Sequence, residues 1–434
     1  MLTPAERRAK IKATIRVASG NFIEAYDFFV YGYYAQYIAR TFFPSENEYA
    51  SLMLSLLTFG AGYLIRPLGA IVLGGYIDKH GRKKGLILTL SLMAVGTFSI
   101  AVTPGYAQIG LLAPILIVAG RLLQGLSAGA EFGGVAIYLS EIATPGRRGF
   151  YCCWQAVSQQ VAVVFAAGIG IAMTILVPPE DMNVWGWRVP LLIGTASVPL
   201  ILWLRNSLEE TEAFKHSRHV RTLREVMRIL GANWTLVLNG VGLTVMMTTT
   251  FYLITVYTPT FARQALQMAP TDVFLITLFV GLSNLCWLPV GGVLTDRFGA
   301  RPLMLAVTVA ALLTAYPAMA MLIAGPSFAK LLAVLLLYSM FFGLYSGGLI
   351  PLLTEIMPAE VRTAAFSLAF VTATAIFGGF TPAICTYLIE ITGNRAAPAL
   401  WLMLAAGISL GATFILPFIQ SAAMTPRTRA AFVK

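Results

Sequence analysis

Five charged side chains stand deep inside stretches that are otherwise apolar: Glu24, Asp27, Arg66, Arg121 and Glu131. A charge at the centre of a bilayer costs about 2.5–3.5 kcal/mol on insertion scales, so five of them point to a function that needs them. Their spacing groups them. Glu24, Asp27, Tyr31 and Tyr34 fall on one helical stripe, and Gln124 and Glu131, seven apart, share a face with Arg121 one turn earlier. Arginine stays charged in any surroundings and grips carboxylates through two parallel hydrogen bonds, so Arg121 and Arg66 suit a ligand with several carboxylates. Aspartate and glutamate are the natural proton carriers. A carboxylate that alternates between an arginine and an apolar wall changes its proton affinity with conformation. Asp27 facing Arg121 fits that scheme best, with Glu24 and Glu131 as second choices. Gln124, Gln155, Gln159, Tyr252 and Asn284 are the neutral polar groups expected beside such a site. Each of these residues has an alternative use, as a permanent salt bridge or an ordinary hydrogen bond between helices.

The elements that position them follow from hydropathy. The 434 residues are 58% hydrophobic and 11% charged, with mean hydropathy +0.77. Soluble domains carry about 25% charged residues, so water cannot solvate this surface and lipid must. Apolar runs predict twelve helices near 18–39, 51–77, 85–103, 108–141, 153–176, 189–205, 235–262, 271–295, 301–324, 328–355, 363–391 and 398–419. The net charge of +11 is a topology signal rather than a nucleic-acid footprint. Arg and Lys crowd the loops on the side of both termini, and only Arg40, Arg188, Arg263, Lys330 and Arg395 fall on the other. That bias predicts both termini in the cytoplasm. The first apolar stretch is too long for a signal-peptide core and is expected to be retained. The four cysteines have no metal-ligand spacing and imply no disulfide framework, and no metal is expected.

The chain repeats itself. Asp78 and Arg82 follow the second predicted helix in the run GGYIDKHGRKK, and Asp296 and Arg301 follow the eighth in GVLTDRFGAR. A second pair of motifs, Glu141 with Arg148 and Glu355 with Arg362, follows the fourth and tenth. The aspartates lie 218 residues apart, and the glutamates and the arginines 214 each. Two independent motifs at nearly one offset predict two six-helix halves, 1–205 and 235–434, joined by a linker at 206–234.

The repeated loop resembles the hallmark of the major facilitator superfamily. More narrowly, Gly20-Asn21, Glu24, Asp27-Phe28-Phe29, Arg66-Pro67-Leu68-Gly69, Arg121 to Gly125, Glu131 to Gly134, Trp185 to Arg188 and Phe251-Tyr252 with Tyr257-Thr258-Pro259 resemble the metabolite:proton symporter family. Ala130 departs from the glycine frequent there. Within the family, Ser19–Asn21, Tyr37–Pro44, Tyr138–Pro145 and FYLITVYTPT at 251–260 read like the citrate and tricarballylate symporters. The resemblance spans essentially the whole chain. It implies an all-α membrane protein with a twelve-helix major facilitator fold, two six-helix bundles related by pseudo-two-fold symmetry, and first and fourth helices lining a central cavity. It further implies that Asp78, Arg82, Glu141 and Arg148, and in the second half Asp296, Arg301, Glu355 and Arg362, form breakable charged contacts that gate one side.

The function it implies is proton-coupled uptake of a tricarboxylate such as citrate or tricarballylate across a bacterial inner membrane, by a monomer working in the lipid bilayer without a cofactor. Carriage of a dicarboxylate like 2-oxoglutarate, or of a zwitterionic osmolyte, is the alternative. Osmolyte carriers of the family commonly have a long carboxy-terminal coiled coil, and here 15 residues follow the last predicted helix. No nucleophile–base arrangement or phosphate-binding loop appears within the helices, so an enzyme is not expected.

Overall fold

The computed structural model describes residues 14, 21–22, 24–80, 82–129, 132–196, 223–358 and 361–423, and the side chains of most of them. Among these residues the regular structure is entirely helical. In lipid a backbone must satisfy its own hydrogen bonds, and a helix does so within one segment.

The first half contains α1 over 24–42, α2 as Glu48–Leu64 and Arg66–His80, α3 as Arg82–Val102, α4 as Leu112–Ala128 and Phe132–Ile142, α5 as Arg148–Leu176, and α6 over 188–196. The second contains α7 as Trp234–Gln264, α8 as Pro270–Phe298, α9 as Ala300–Ile323, α10 as Phe328–Ile356, α11 as Arg362–Thr392 and α12 as Ala397–Ala423. Among the described residues eight helices, α2, α5 and α7 to α12, are long and apolar enough to cross a membrane, and α3 and α4 hold shorter apolar stretches. Part of the expected linker is itself helical, over Leu223–Ala232.

Proline shapes the places where helices change. α2 breaks at Ile65, just before Arg66-Pro67, because Pro67 cannot donate to the preceding turn. α7 and α11 each widen into a π-helix, at Tyr252–Tyr257 and Thr374–Gly378, ahead of Pro259 and Pro382. Such stretches inside helices cluster at functional sites because they release backbone groups from the regular ladder.

The halves meet chiefly through α5 on α8 and α2 on α11, with α5 on α10 and α4 on α10 and α11 adding to the seam. Advancing each helix by six places converts one pair into the other, which is the pseudo-two-fold symmetry. Burial sorts the remainder: 83% of the apolar window of α7 is buried but only 33% of that of α9, so α7 lines the interior and α9 faces outward. Small residues allow the closest crossings. A Cβ on Gly125 of α4 would lie 1.8 Å from the Gly62 carbonyl oxygen of α2. A Cβ on Gly62 would in turn sit 3.3 Å from Nε of Arg121. The α2–α4 glycine contact is therefore what lets the Arg121 guanidinium lie flat against α2.

Candidate substrate site

Arg121 is fully buried. Its Nη1 donates to Gln124 Oε1 at 2.7 Å, its Nη2 donates to the Phe59 carbonyl at 3.2 Å, and its Nε has no partner. Phe28, Tyr31 and Phe59 surround it, with the guanidinium carbon 4.5, 4.6 and 4.9 Å from their ring centroids. Arg66, also buried, lies 4.3 Å from the same Phe28 ring and 4.1 Å from the Tyr63 ring, and its Nε too has no partner. The aromatic faces offset part of the cost of burying two cations. On the surface Arg40 forms an ion pair with Glu48 at 3.1 Å.

Asp27 and Arg121 are joined through two neutral side chains. Thr97 of α3 donates to Asp27 Oδ2 at 2.8 Å and accepts from Gln124 Nε2 at 2.8 Å, and Gln124 accepts from Arg121. The other carboxylate oxygen, Oδ1, has no hydrogen-bond partner, and α6 passes so close that a Cβ on Gly194 would fall 2.2 Å from it. Sequence reasoning faced Asp27 directly towards Arg121; the structure inserts a relay. Thr97 carried no signal, since a single threonine in an apolar helix is unremarkable by composition. The aromatic box was partly visible, because Tyr31 lies on the α1 stripe and Tyr63 stands three residues before Arg66.

The other expected site residues divide. Tyr252, on the π-helical stretch of α7, faces Tyr63 edge-on at 5.3 Å and Phe59 at 6.3 Å, so it brings the second half up to the arginine cluster. Glu24 and Gln155 are buried, and Asn21 donates to the Gln155 carbonyl and to Ser158, tying the start of α1 to α5. Gln159 is half-buried. Asn284 is engaged elsewhere: it donates to Gln160 Oε1 at 2.9 Å and accepts from Ser339 at 2.7 Å, which joins α8 to α5 and α10. Glu131 lies outside the described residues.

Among the residues expected to gate, Asp296 contacts backbone rather than an arginine. Asp296, at the end of α8, accepts from the backbone N–H groups of Gly149 at 2.6 Å and Phe150 at 3.0 Å, the first turn of α5. A helix start leaves N–H groups unsatisfied and carries partial positive charge, so a carboxylate from the other half fits there without an arginine. The contact needs glycine, since a Cβ on Gly149 would lie 2.4 Å from the Gly292 carbonyl. Ser140 and Thr354, 214 residues apart, meet at 3.3 Å beside it. Residues related by a two-fold can touch only near the axis, so this pair marks where the axis emerges. Arg301 donates to the Thr413 carbonyl at 3.3 Å and so links α9 to α12, Glu141 and Glu355 are exposed, and Arg148 and Arg362 are half-buried. The side chains of Asp78 and Arg82 lie outside the description.

On the face opposite the Asp296 contact, a cavity of about 460 Å³ opens between α1, α2 and the end of α7, lined by Arg40, Glu48, Ser51, Arg263 and Gln264 among others.

Comparison with known proteins agrees with this geometry. Residues 17–382 match the model of the Major Facilitator Superfamily. A citrate-proton symporter of Klebsiella pneumoniae is 56% identical over 405 residues, covering 93% of this chain and 91% of that protein. A citrate-proton symporter of Salmonella typhi is 53% identical over 415 residues, covering 95% and 96%. The alpha-ketoglutarate permease of Escherichia coli (strain K12) is 34% identical over 387 residues, covering 87% of each. Among solved structures, the partially occluded inward open conformation of the xylose transporter XylE from E. coli superposes with a TM-score of 0.75 at 17% identity, covering 94% of this chain and 97% of that one. Fold, repeat and relatives converge: this chain belongs to the Major Facilitator Superfamily, within its metabolite:proton symporter family.

Proposed function

We propose that this protein imports citrate together with protons across the bacterial inner membrane by alternating access. The observation that carries the reading is the pair of buried arginines, Arg66 and Arg121, on the one Phe28 ring, each with an Nε that makes no hydrogen bond. Two buried like charges are unfavourable alone. A polycarboxylate completes them, and the relatives more than half identical to this chain are named as citrate-proton symporters.

Each half then has a task. In the first, 1–205, Arg121 and Arg66 hold carboxylates while Asp27, reached through Thr97 and Gln124, takes and releases the proton. Substrate binding draws Arg121 away from Gln124, and the relay carries that change to the carboxylate. The second half, 235–434, closes over the substrate with Tyr252. The linker at 206–234 lets the halves rock, and the Asp296 contact holds the cytoplasmic side shut until they do. Both termini lie in the cytoplasm, and the monomer in the bilayer is the working unit. Bringing a trianion into a negative interior costs about 2.3 kcal/mol per charge per 100 mV, which accompanying protons offset.

The test is uptake of labelled citrate into proteoliposomes with and without an inward proton gradient, in wild type and Arg121→Lys. Lysine keeps the charge and loses the two-pronged grip. Uptake of Arg121→Lys equal to wild type would sink the carboxylate clamp; wild-type accumulation indifferent to the gradient would sink the coupling.

A further inference from the structure

The second half carries polar groups that the arginine cluster does not use. Threonine in a helix commonly returns its hydroxyl to the carbonyl four residues earlier, as Thr244, Thr250, Thr277, Thr308 and Thr413 do here. Five buried threonine hydroxyls have no partner: Thr248, Thr249, Thr255, Thr295 and Thr374. Thr295 adjoins Asp296. The other four lie inside, or within four residues of, the π-helical stretches of α7 and α11. A buried hydroxyl left without a partner is costly unless a ligand completes it.

Two of them border the site already described. A Cβ on Gly378 of α11 would lie 2.4 Å from Thr248 Oγ1 and 2.7 Å from the Tyr252 ring. Thr374 stands four residues before Gly378, a turn away on the same helix. The next residue, Gly379, takes the Tyr63 ring, with a Cβ there 2.7 Å from it, and Tyr63 in turn carries the Arg66 guanidinium. The threonines and the arginines therefore border one aromatic wall, Tyr63 and Tyr252. The middles of α7 and α11 contain no Asp, Glu, Lys or Arg. This wall cannot neutralise a carboxylate, but a hydroxyl both donates and accepts, which matches an alcohol.

We propose that Thr248 and Thr374 form the subsite for the alcohol oxygen of a hydroxylated tricarboxylate, so that the chain separates such a substrate from its deoxy analogue. The inference rests on the citrate reading above. A site built to bond a hydroxyl discriminates against the analogue that lacks it.

The experiment uses the full chain in proteoliposomes, with labelled citrate and labelled tricarballylate, which has the same three carboxylates and no hydroxyl. Wild type is expected to prefer citrate by about tenfold or more, the worth of one or two hydrogen bonds. Thr248→Val and Thr374→Val should each bring the preference towards unity through weaker citrate uptake, with tricarballylate uptake held within about twofold as the check on folding. Thr248→Ser and Thr374→Ser, which keep the hydroxyl, should keep the preference. Where a valine variant does not reach the membrane, the alanine variant is measured with the same expectation. The subsite is overturned if wild type takes up both compounds equally, if the valine variants keep the preference or lose both substrates alike, or if serine behaves as valine does. Wild type that takes up neither compound overturns the functional reading and the subsite with it.

Discussion

The two halves of this protein share one scaffold and differ in what their interiors carry. Around α1, α2 and α4 the first half buries Glu24, Asp27, Arg66 and Arg121. The facing part of the second half offers Tyr252 and a set of threonines, with no charge in the middle of α7 or α11. Both are interior, yet only the first carries buried Asp, Glu or Arg there. The comparison teaches that the two halves share a frame, through glycine crossings and repeated motifs, while the buried acidic and basic groups are concentrated on one side. A rocking carrier gains from that arrangement. In the function proposed above, the ionic site would stay together in one half while the other closes over it with neutral contacts.

The sharpest way to break the comparison is to remove charge from the first half. Arg121→Ala is expected to abolish citrate uptake, by about a hundredfold or more, because a buried charge-assisted contact is lost along with the support of Gln124. Initial rates in proteoliposomes measure it, and a small effect would mean the charged half is structural. Next comes Asp27→Asn, which should lose accumulation driven by a proton gradient yet retain exchange of external for internal citrate at about wild-type rate. Loss of both would make Asp27 a packing residue.

A smaller effect is expected between the halves. Asp296→Asn weakens two charge-assisted hydrogen bonds to the start of α5, worth about 1–3 kcal/mol, and should expose that side more often. Labelling of a cysteine introduced at Ser140 should then speed up by about tenfold. Smaller still is Tyr252→Phe in the neutral half, which leaves the ring on Tyr63 and should change citrate affinity by no more than about fivefold. If that change matched the Arg121 loss, the contrast between the halves would fail.

Much of this was legible from one chain. Hydropathy yielded the helices because lipid imposes about 20 apolar residues per crossing, a local constraint. The repeat was visible because duplicated loops need the same turn and the same acid. Arg66, Arg121 and Asp27 could be picked out because a charge inside an apolar run is improbable without a use. Their partners could not be read. Thr97 lies 70 residues from Asp27 and 27 from Gln124, so no window or periodicity connects them. The partner of Asp296 is a pair of backbone N–H groups 147 and 146 residues away, and backbone has no signature in sequence at all.

The sequence by itself thus determined that the chain lives in a membrane, that it has two homologous halves, and which half holds the charges. These properties follow from residue type and from spacing along one helix. The tertiary structure decided that Asp27 and Arg121 communicate through a relay instead of touching. It also decided that Asp296 meets the start of α5 from the other half, and that four threonines at two π-helical stretches have no hydrogen-bond partner. Each of those depends on how helices distant in sequence cross, and crossing is set by side-chain shape and glycine contacts between them.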